Sequence, residues 1–180
     1  MLDERIIVAG FGGQGVMMVG KLLAHAGMLE GKNVSWLPSY GPEMRGGTAN
    51  CHVILAEQMI GAPIVTEATC VIAMNLPSLD KFEAALQSGG RLLWNSSLIR
   101  RTAVRQDVQV LAIPVNDLAN QQGSLKVANV VMLGAYIALS RAVTPETMIA
   151  VLKETLGQNK RHLLDINLNA LAAGMKYATK

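Results

Sequence analysis

Apolar positions open the chain as a short uninterrupted run, Ile6 to Ala9, which breaks into the glycine-dense turn Gly10-Phe-Gly-Gly-Gln-Gly15. After the turn the period changes: Val16, Val19, Leu22, Leu23 and Ala26 recur at three- and four-residue spacing. That change predicts strand, tight loop and a helix from about Gly13 to Leu29, with Gly27 and Gly31 at its ragged end. Lys32 to Leu37 reads as the second strand and Asn50 to Ala56 as the third, followed by a hairpin turn and short return over Glu57 to Pro63. Cys70 to Met74 is a further buried strand. Asn75 then caps a helix with Pro77 in its first turn, Leu79, Phe82, Ala85 and Leu86 facing inward, and Gly89-Gly90 as its stop. Arg91 to Asn95 and Val108 to Pro114 supply two more strands. The remainder is helical: Val115 to Asn120, Lys126 to Ala142, a capped start at Thr144-Pro145-Glu146, and a last amphipathic helix from Asn159 or Lys160 through Leu163, Leu171 and Met175. Strands alternating with helices, without repeats or a long linker, predict one α/β domain over 1–180. Its expected form is a three-layer, Rossmann-like, mostly parallel sheet with helices on both faces and a β-hairpin excursion.

Composition changes this picture in one respect. Of the 180 residues 51% are apolar and only 16% charged, against a usual quarter, so part of the surface is expected to face a partner chain. The net charge of +3, with no interleaving of basic and aromatic residues, excludes a nucleic-acid groove. Two cysteines without a CxxC leave no set of ligands for an iron–sulfur cluster, argue against structural zinc, and suggest a reducing compartment. No basic leader precedes the first strand and no apolar run reaches about 18 residues, so a cytoplasmic protein without membrane insertion is expected.

Candidate chemistry gathers in two loops. Gly10, Gly12 and Gly15 fit the GxGxxG spacing of a phosphate-approaching turn, but the acid that would hold a ribose beyond the second strand is absent, the positions there reading Ser35 to Ser39. The second loop, Ser39-Tyr-Gly-Pro-Glu-Met-Arg-Gly-Gly-Thr-Ala-Asn-Cys51, lies at the carboxyl end of that strand, where α/β sheets bind ligands. Arg45 beside Gly46 and Gly47 suits a phosphate grip, the alternative being that Glu43 and Arg45 solvate a turn. Arg100, Arg101 and Arg105 form a basic cluster, either a solvated face or a contact for a partner or phosphate. His25, His52 and His162 are scattered, Cys51 falls in a strand, and no HExxH, GxSxG or Walker pattern occurs. No residue is assigned to catalysis or to a metal. The chain reads as a binding subunit.

Four blocks taken together, Gly10 to Gly15, Ser39 to Cys51, Ala73-Met-Asn-Leu-Pro-Ser-Leu-Asp-Lys-Phe82 and Val127-Ala-Asn-Val-Val-Met-Leu-Gly134, resemble the gamma subunit of 2-oxoacid:ferredoxin oxidoreductases, most of all the 2-oxoglutarate branch. The resemblance implies the pyruvate/2-oxoacid oxidoreductase catalytic-domain type and a hetero-oligomeric enzyme that oxidatively decarboxylates a 2-oxoacid to its acyl-coenzyme A. It implies thiamine diphosphate and iron–sulfur clusters on the partner subunits, since neither a GDG motif nor cluster cysteines occur here, and an isolated chain that is inactive. It allows a homodimer of this chain within the complex. Residues implied to contact coenzyme A are Gly12, Gly13, Gln14, Gly15, Ser39, Tyr40, Arg45, Gly46, Gly47 and Thr48. Two other readings stand beside it: a purely structural assembly subunit, and a free nucleotide-cofactor-binding Rossmann-like protein.

Overall fold

In the computed structural model, which describes residues 2–39, 48–156 and 161–180, the opening apolar run is strand β1 (Asp3–Phe11). Strands β2 (Asn33–Ser39), β3 (Thr48–Ala56), β4 (Ala68–Ala73), β5 (Leu86–Asn95) and β6 (Gln109–Ile113) join it in one sheet of order β2-β3-β1-β4-β5-β6. The pairs β1/β4, β4/β5 and β5/β6 are parallel, whereas β3 runs antiparallel to both β2 and β1. One reversed strand therefore sits inside an otherwise parallel sheet. Its effect is to bring the start of β3 to the edge where β1 ends.

The sheet is buried on both faces, as its near-continuous Val, Ile and Ala runs require. Ile6, Val8, Cys51, Val53, Ile72 and Leu93 point to the face covered by helices α1 (Val16–Leu29), α3 (Val115–Gln121), α4 (Ala128–Ser140), α5 (Pro145–Leu156) and α6 (Arg161–Ala178). Ile7, Ala9, Ile54, Val71, Leu92 and Trp94 point to the other face, covered by helix α2 (Leu76–Phe82), a 3-10 turn at Glu83–Ala85, and the irregular stretches around Val65 and Ile99. Helix α4 is buried from Ala128 to Ile137, and α6 crosses it backbone against backbone. A Cβ on Gly134 would strike the Leu171 carbonyl, and one on Gly174 the Val131 carbonyl.

The α/β architecture agrees with the expectation, and several element boundaries do not. Helix α1 begins at Val16 rather than Gly13, because Gly13 and Gly15 take positive φ values of 94° and 75° and keep the turn open. Glu57 to Pro63 forms no return strand. The chain there loops back until the Val65 amide donates to His52 Nδ1 at 3.0 Å, and the hairpin partner of β3 is β2. Leu86 leaves the helix for β5, and Gly89-Gly90 lies within that strand instead of ending a helix, the Gly89 amide donating to the Asp107 carbonyl at 2.8 Å. The long helix expected from Lys126 is divided: Leu125–Val127 is a 3-10 turn, with Ser124 Oγ accepting from the Lys126 amide, and α4 follows.

Two of the three side chains of the basic cluster, Arg101 and Arg105, are engaged within the fold. Arg101 bonds Asp80 and Glu83, Arg105 bonds Asp107 and the Leu86 carbonyl, and Glu83 Oε1 accepts from the backbone amides of Val104 and Arg105. These arginines fasten the stretch before β6 to α2. Only Arg100 of the three is exposed.

Candidate functional site

The glycine turn follows β1 at the carboxyl edge of the sheet. Gly15 is the residue before α1, left-handed and without a side-chain cap, and no acid lies in the first turn. The first helical hydrogen bond runs from the Val19 amide to the Gly15 carbonyl at 3.1 Å, so the amides of Val16, Met17 and Met18 have no partner within the helix. They form the positive end of a 14-residue helix and favour an anion.

Above the turn lies a cleft of about 460 Å³, lined by Phe11, Gly12, Gly13, Gly15, Val16, Met17, Met18, Lys21, Trp36 and Ala49. Its size is within the range of small-molecule sites, its walls are mostly apolar, and Lys21 is the one charged side chain that lines it among the described residues. Trp36 reaches it from β2 across Gly20, where an added Cβ would come within 2.8 Å of the indole nitrogen. A phosphate-bearing ligand with an apolar body matches this set: free helix amides and an ammonium for the anion, Phe11, Met18 and Trp36 for the remainder.

Strand register brings the two predicted loops together. Phe11 pairs with Thr48 and Gly10 with Ala49 across the β1/β3 ladder, while Ser39 pairs with Asn50 across β2/β3. Ser39 and the Thr48 backbone are thus the two ends of the connection 40–47, beside the glycine turn. Tyr40, Glu43, Met44, Arg45, Gly46 and Gly47 lie outside the described residues, as does the Thr48 side chain. Gly12, Gly13 and Gly15 line the cleft, whereas Gln14 does not. Its carboxamide is turned back into the fold, bonding the Phe11 amide, Asn75 and the Met74 carbonyl.

Of the residues lining the cleft, the sequence did not mark Phe11, Val16, Met17, Met18, Lys21, Trp36 or Ala49 as site residues. The two methionines and Lys21 read as ordinary positions on an amphipathic helix, although their place within two turns of the glycines was the available signal. Trp36 had no local signal, since only the pairing of β2 with β3 carries it to the cleft.

The other candidates are structural. Burial pushes the Cys51 thiol up to about 11, despite the nearby Trp36 side chain and Gly20 backbone, which suits no nucleophile. Cys70 is also buried, and burial raises its thiol further. His52 is held below its ordinary value by burial and accepts a backbone bond, and His25 lies 3.6 Å from Glu154. The side chain of His162 is outside the described residues. Among the described residues no three His, Cys, Asp or Glu side chains are placed to hold a metal, and no helix is long and apolar enough to cross a membrane.

Comparison with known proteins adds the following. The family described as pyruvate ferredoxin/flavodoxin oxidoreductase matches residues 5–177. The ketoisovalerate oxidoreductase subunit VorA of Methanothermobacter thermautotrophicus is 37% identical over 98% of this chain and 36% of its own length. The chain thus spans about a third of that relative. The 2-oxoglutarate synthase subunit KorC of Methanocaldococcus jannaschii is 31% identical over 91% of this chain and 90% of its own. Among solved structures, a keto/oxoacid ferredoxin oxidoreductase gamma subunit from Geobacter sulfurreducens superposes with a TM-score of 0.84 at 30% identity, covering 98% of each chain. A 2-oxoglutarate:ferredoxin oxidoreductase from Magnetococcus marinus, with 2-oxoglutarate, coenzyme A and succinyl-CoA bound, superposes with a TM-score of 0.91 over 99% of this chain and 31% of that one. Its identity is 24%, a likeness of fold.

Proposed function

Because the chain belongs to the pyruvate ferredoxin/flavodoxin oxidoreductase family, we propose that it is the gamma-type subunit of a cytoplasmic multi-subunit enzyme that oxidatively decarboxylates a 2-oxoacid to its acyl-coenzyme A, passing electrons to ferredoxin or a similar acceptor. In this reading thiamine diphosphate and iron–sulfur clusters supply the carbon–carbon cleavage and electron transfer from partner chains. This chain's part is to hold coenzyme A.

The observation that carries the proposal is the Phe11–Thr48 register, which sets the ends of the Arg45 loop beside the glycine turn and its cleft. The α1 amides and Lys21 face the cleft as anion donors, and Arg45, Gly46 and Gly47 are assigned to a phosphate from the adjoining loop. The apolar wall of Phe11, Met18 and Trp36 suits the uncharged length of the cofactor. A cleft of about 460 Å³ takes only part of coenzyme A, which fits a site completed by another subunit.

Relatives named for ketoisovalerate and for 2-oxoglutarate both align along nearly the whole chain, so resemblance to the 2-oxoglutarate branch does not select the oxoacid. We assign oxoacid choice to the partner chains, with 2-oxoglutarate and 2-ketoisovalerate as the substrates to assay. Replacing Arg45 or Lys21 by Ala in the reconstituted complex is expected to raise the KM for coenzyme A roughly tenfold, the equivalent of one charge-assisted hydrogen bond, with the KM for the oxoacid unchanged. An unchanged coenzyme A requirement in both variants removes the cleft from the site. That result would favour the assembly reading, for which the exposed Phe11, Leu76 and Leu98 at the same sheet edge are the supporting observation.

A further inference from the structure

The glycine turn is shaped by a side chain that does not line the cleft. Gln14 folds beneath its own loop, its Oε1 accepting from the Phe11 amide at 2.7 Å and from Asn75 Nδ2 at 3.0 Å, while its Nε2 donates to the Met74 carbonyl at 3.2 Å. Gly10 makes this possible, since a Cβ there would lie 2.8 Å from Gln14 Oε1.

Gln14 is the first of a row of carboxamides across the strand ends. Asn75, at the end of β4, accepts from the Ser78 amide at 2.9 Å and so starts α2. Asn95, at the end of β5, donates to the same Met74 carbonyl at 3.4 Å and to Asn116 Oδ1 in α3 at 3.0 Å. The turn after β1 is thereby tied to the ends of the next two strands of the sheet. Without the Gln14 carboxamide, the bonds across the loop among the described residues reduce to the Gln14 amide to Phe11 carbonyl bond of 3.1 Å, with Asn129 Nδ2 donating to the Gly15 carbonyl at its far end at 3.4 Å. A loop with two positive-φ glycines would then sample several shapes, and its amides would need ordering each time a ligand entered.

We propose that Gln14 is a positioning residue: its carboxamide locks the glycine turn to the end of β4, so that the amides at the start of α1 are already arranged for the phosphate-bearing ligand. The proposal rests on the reading of the cleft as the coenzyme A site. It assigns Gln14 a role behind the turn in place of direct contact. Both ends of the carboxamide are required, because a carboxylate could accept from Phe11 and Asn75 but would set a second acceptor against the Met74 carbonyl.

The test uses the reconstituted complex with Gln14→Ala, Gln14→Glu and, as references, Lys21→Ala and Arg45→Ala. Hydrogen exchange of the peptide spanning residues 11–16 is followed alongside steady-state kinetics. In both Gln14 variants the turn is expected to exchange faster while the sheet strands keep their protection. The KM for coenzyme A should rise about two- to tenfold, the value of one net hydrogen bond, with kcat and the oxoacid KM unchanged. Gln14→Glu tests the same lock should Gln14→Ala fail to assemble. Unchanged exchange in the turn, or faster exchange shared by the whole sheet, overturns the positioning role. A loosened turn with an unaltered coenzyme A KM also overturns it when Lys21→Ala or Arg45→Ala raises that KM. If Lys21→Ala and Arg45→Ala leave the KM unaltered as well, the coenzyme A reading falls and the proposal with it.

Discussion

Gly15 is constrained twice, by its backbone and by its neighbour. Its φ of 75° is costly for any residue with a Cβ, and the Asn129 carboxamide lies against its α-carbon, where an added Cβ would come within 2.7 Å of Asn129 Cγ. Gly13, with a φ of 94°, has nothing among the described residues within 4 Å of the same virtual atom. The pair separates conformational from steric cost. Gly13→Ala is expected to cost about 1 kcal/mol, the price of the left-handed backbone alone, and Gly15→Ala about 2–3 kcal/mol. Asn129→Ala should reduce the second value towards the first, because it removes the obstruction and leaves the backbone term. Urea denaturation of the parent, the three single variants and the Gly15→Ala/Asn129→Ala double variant measures this; equal costs at the two glycines would contradict it. The GxGxxG spacing of Gly10, Gly12 and Gly15 marks Gly15 in the sequence, and Gly13 lies within the same glycine run. The spacing could not reveal Asn129, which bonds the Gly15 carbonyl at 3.4 Å from 114 positions along the chain.

Element boundaries were legible where their causes are local. Asn75 with Pro77 and Thr144 with Pro145 each announced a helix start, and Thr144 Oγ1 does accept from the Thr147 amide at 3.2 Å. What secures α5 further is remote: Glu30, just beyond α1, accepts from the Thr144 amide at 2.7 Å and its hydroxyl at 2.9 Å. Burial by itself would raise the Glu30 carboxyl, but bonds from Lys32, Thr144 and Thr147 outweigh it and hold the group at about 2. A carboxyl depressed on folding contributes stability that is complete above its ordinary value near 4.5 and disappears as the pH falls towards 2. Glu30→Gln is therefore expected to lower the melting temperature at neutral pH and to flatten its decline between those two pH values. Parallel melting curves for the variant and the parent across that interval would refute the assignment. The same distinction explains the lost boundary at Leu86. An apolar residue three or four positions from others predicts a helix, yet Leu86 is buried on the α2 side of the sheet from within β5, so its burial does not report its backbone state.

At the scale of the whole molecule, the apolar core between the sheet and the helices also contains a buried charge. Glu4 on β1 is 7% exposed, accepts from Thr69 Oγ1 on β4 at 3.1 Å and from the Tyr136 hydroxyl on α4 at 3.2 Å, and forms an ion pair with Arg91 on β5. Burial and the Glu4 charge push the Tyr136 hydroxyl well above its ordinary value, which keeps it a donor. One carboxylate thus joins three adjacent strands to the most buried helix. Nothing near Glu4 in the sequence indicates this, because a charge at the second position of a strand ordinarily reads as a solvated end. Removing Glu4 leaves the partly buried Arg91 guanidinium without this partner, a loss larger than the net worth of the pair. Glu4→Leu is expected to cost about 3 kcal/mol, and adding Arg91→Met should recover a substantial part of it, since the stranded guanidinium is removed with its partner. Urea denaturation of the single and double variants decides this. A double variant as unstable as the sum of the two singles would mean that Glu4 and Arg91 act independently.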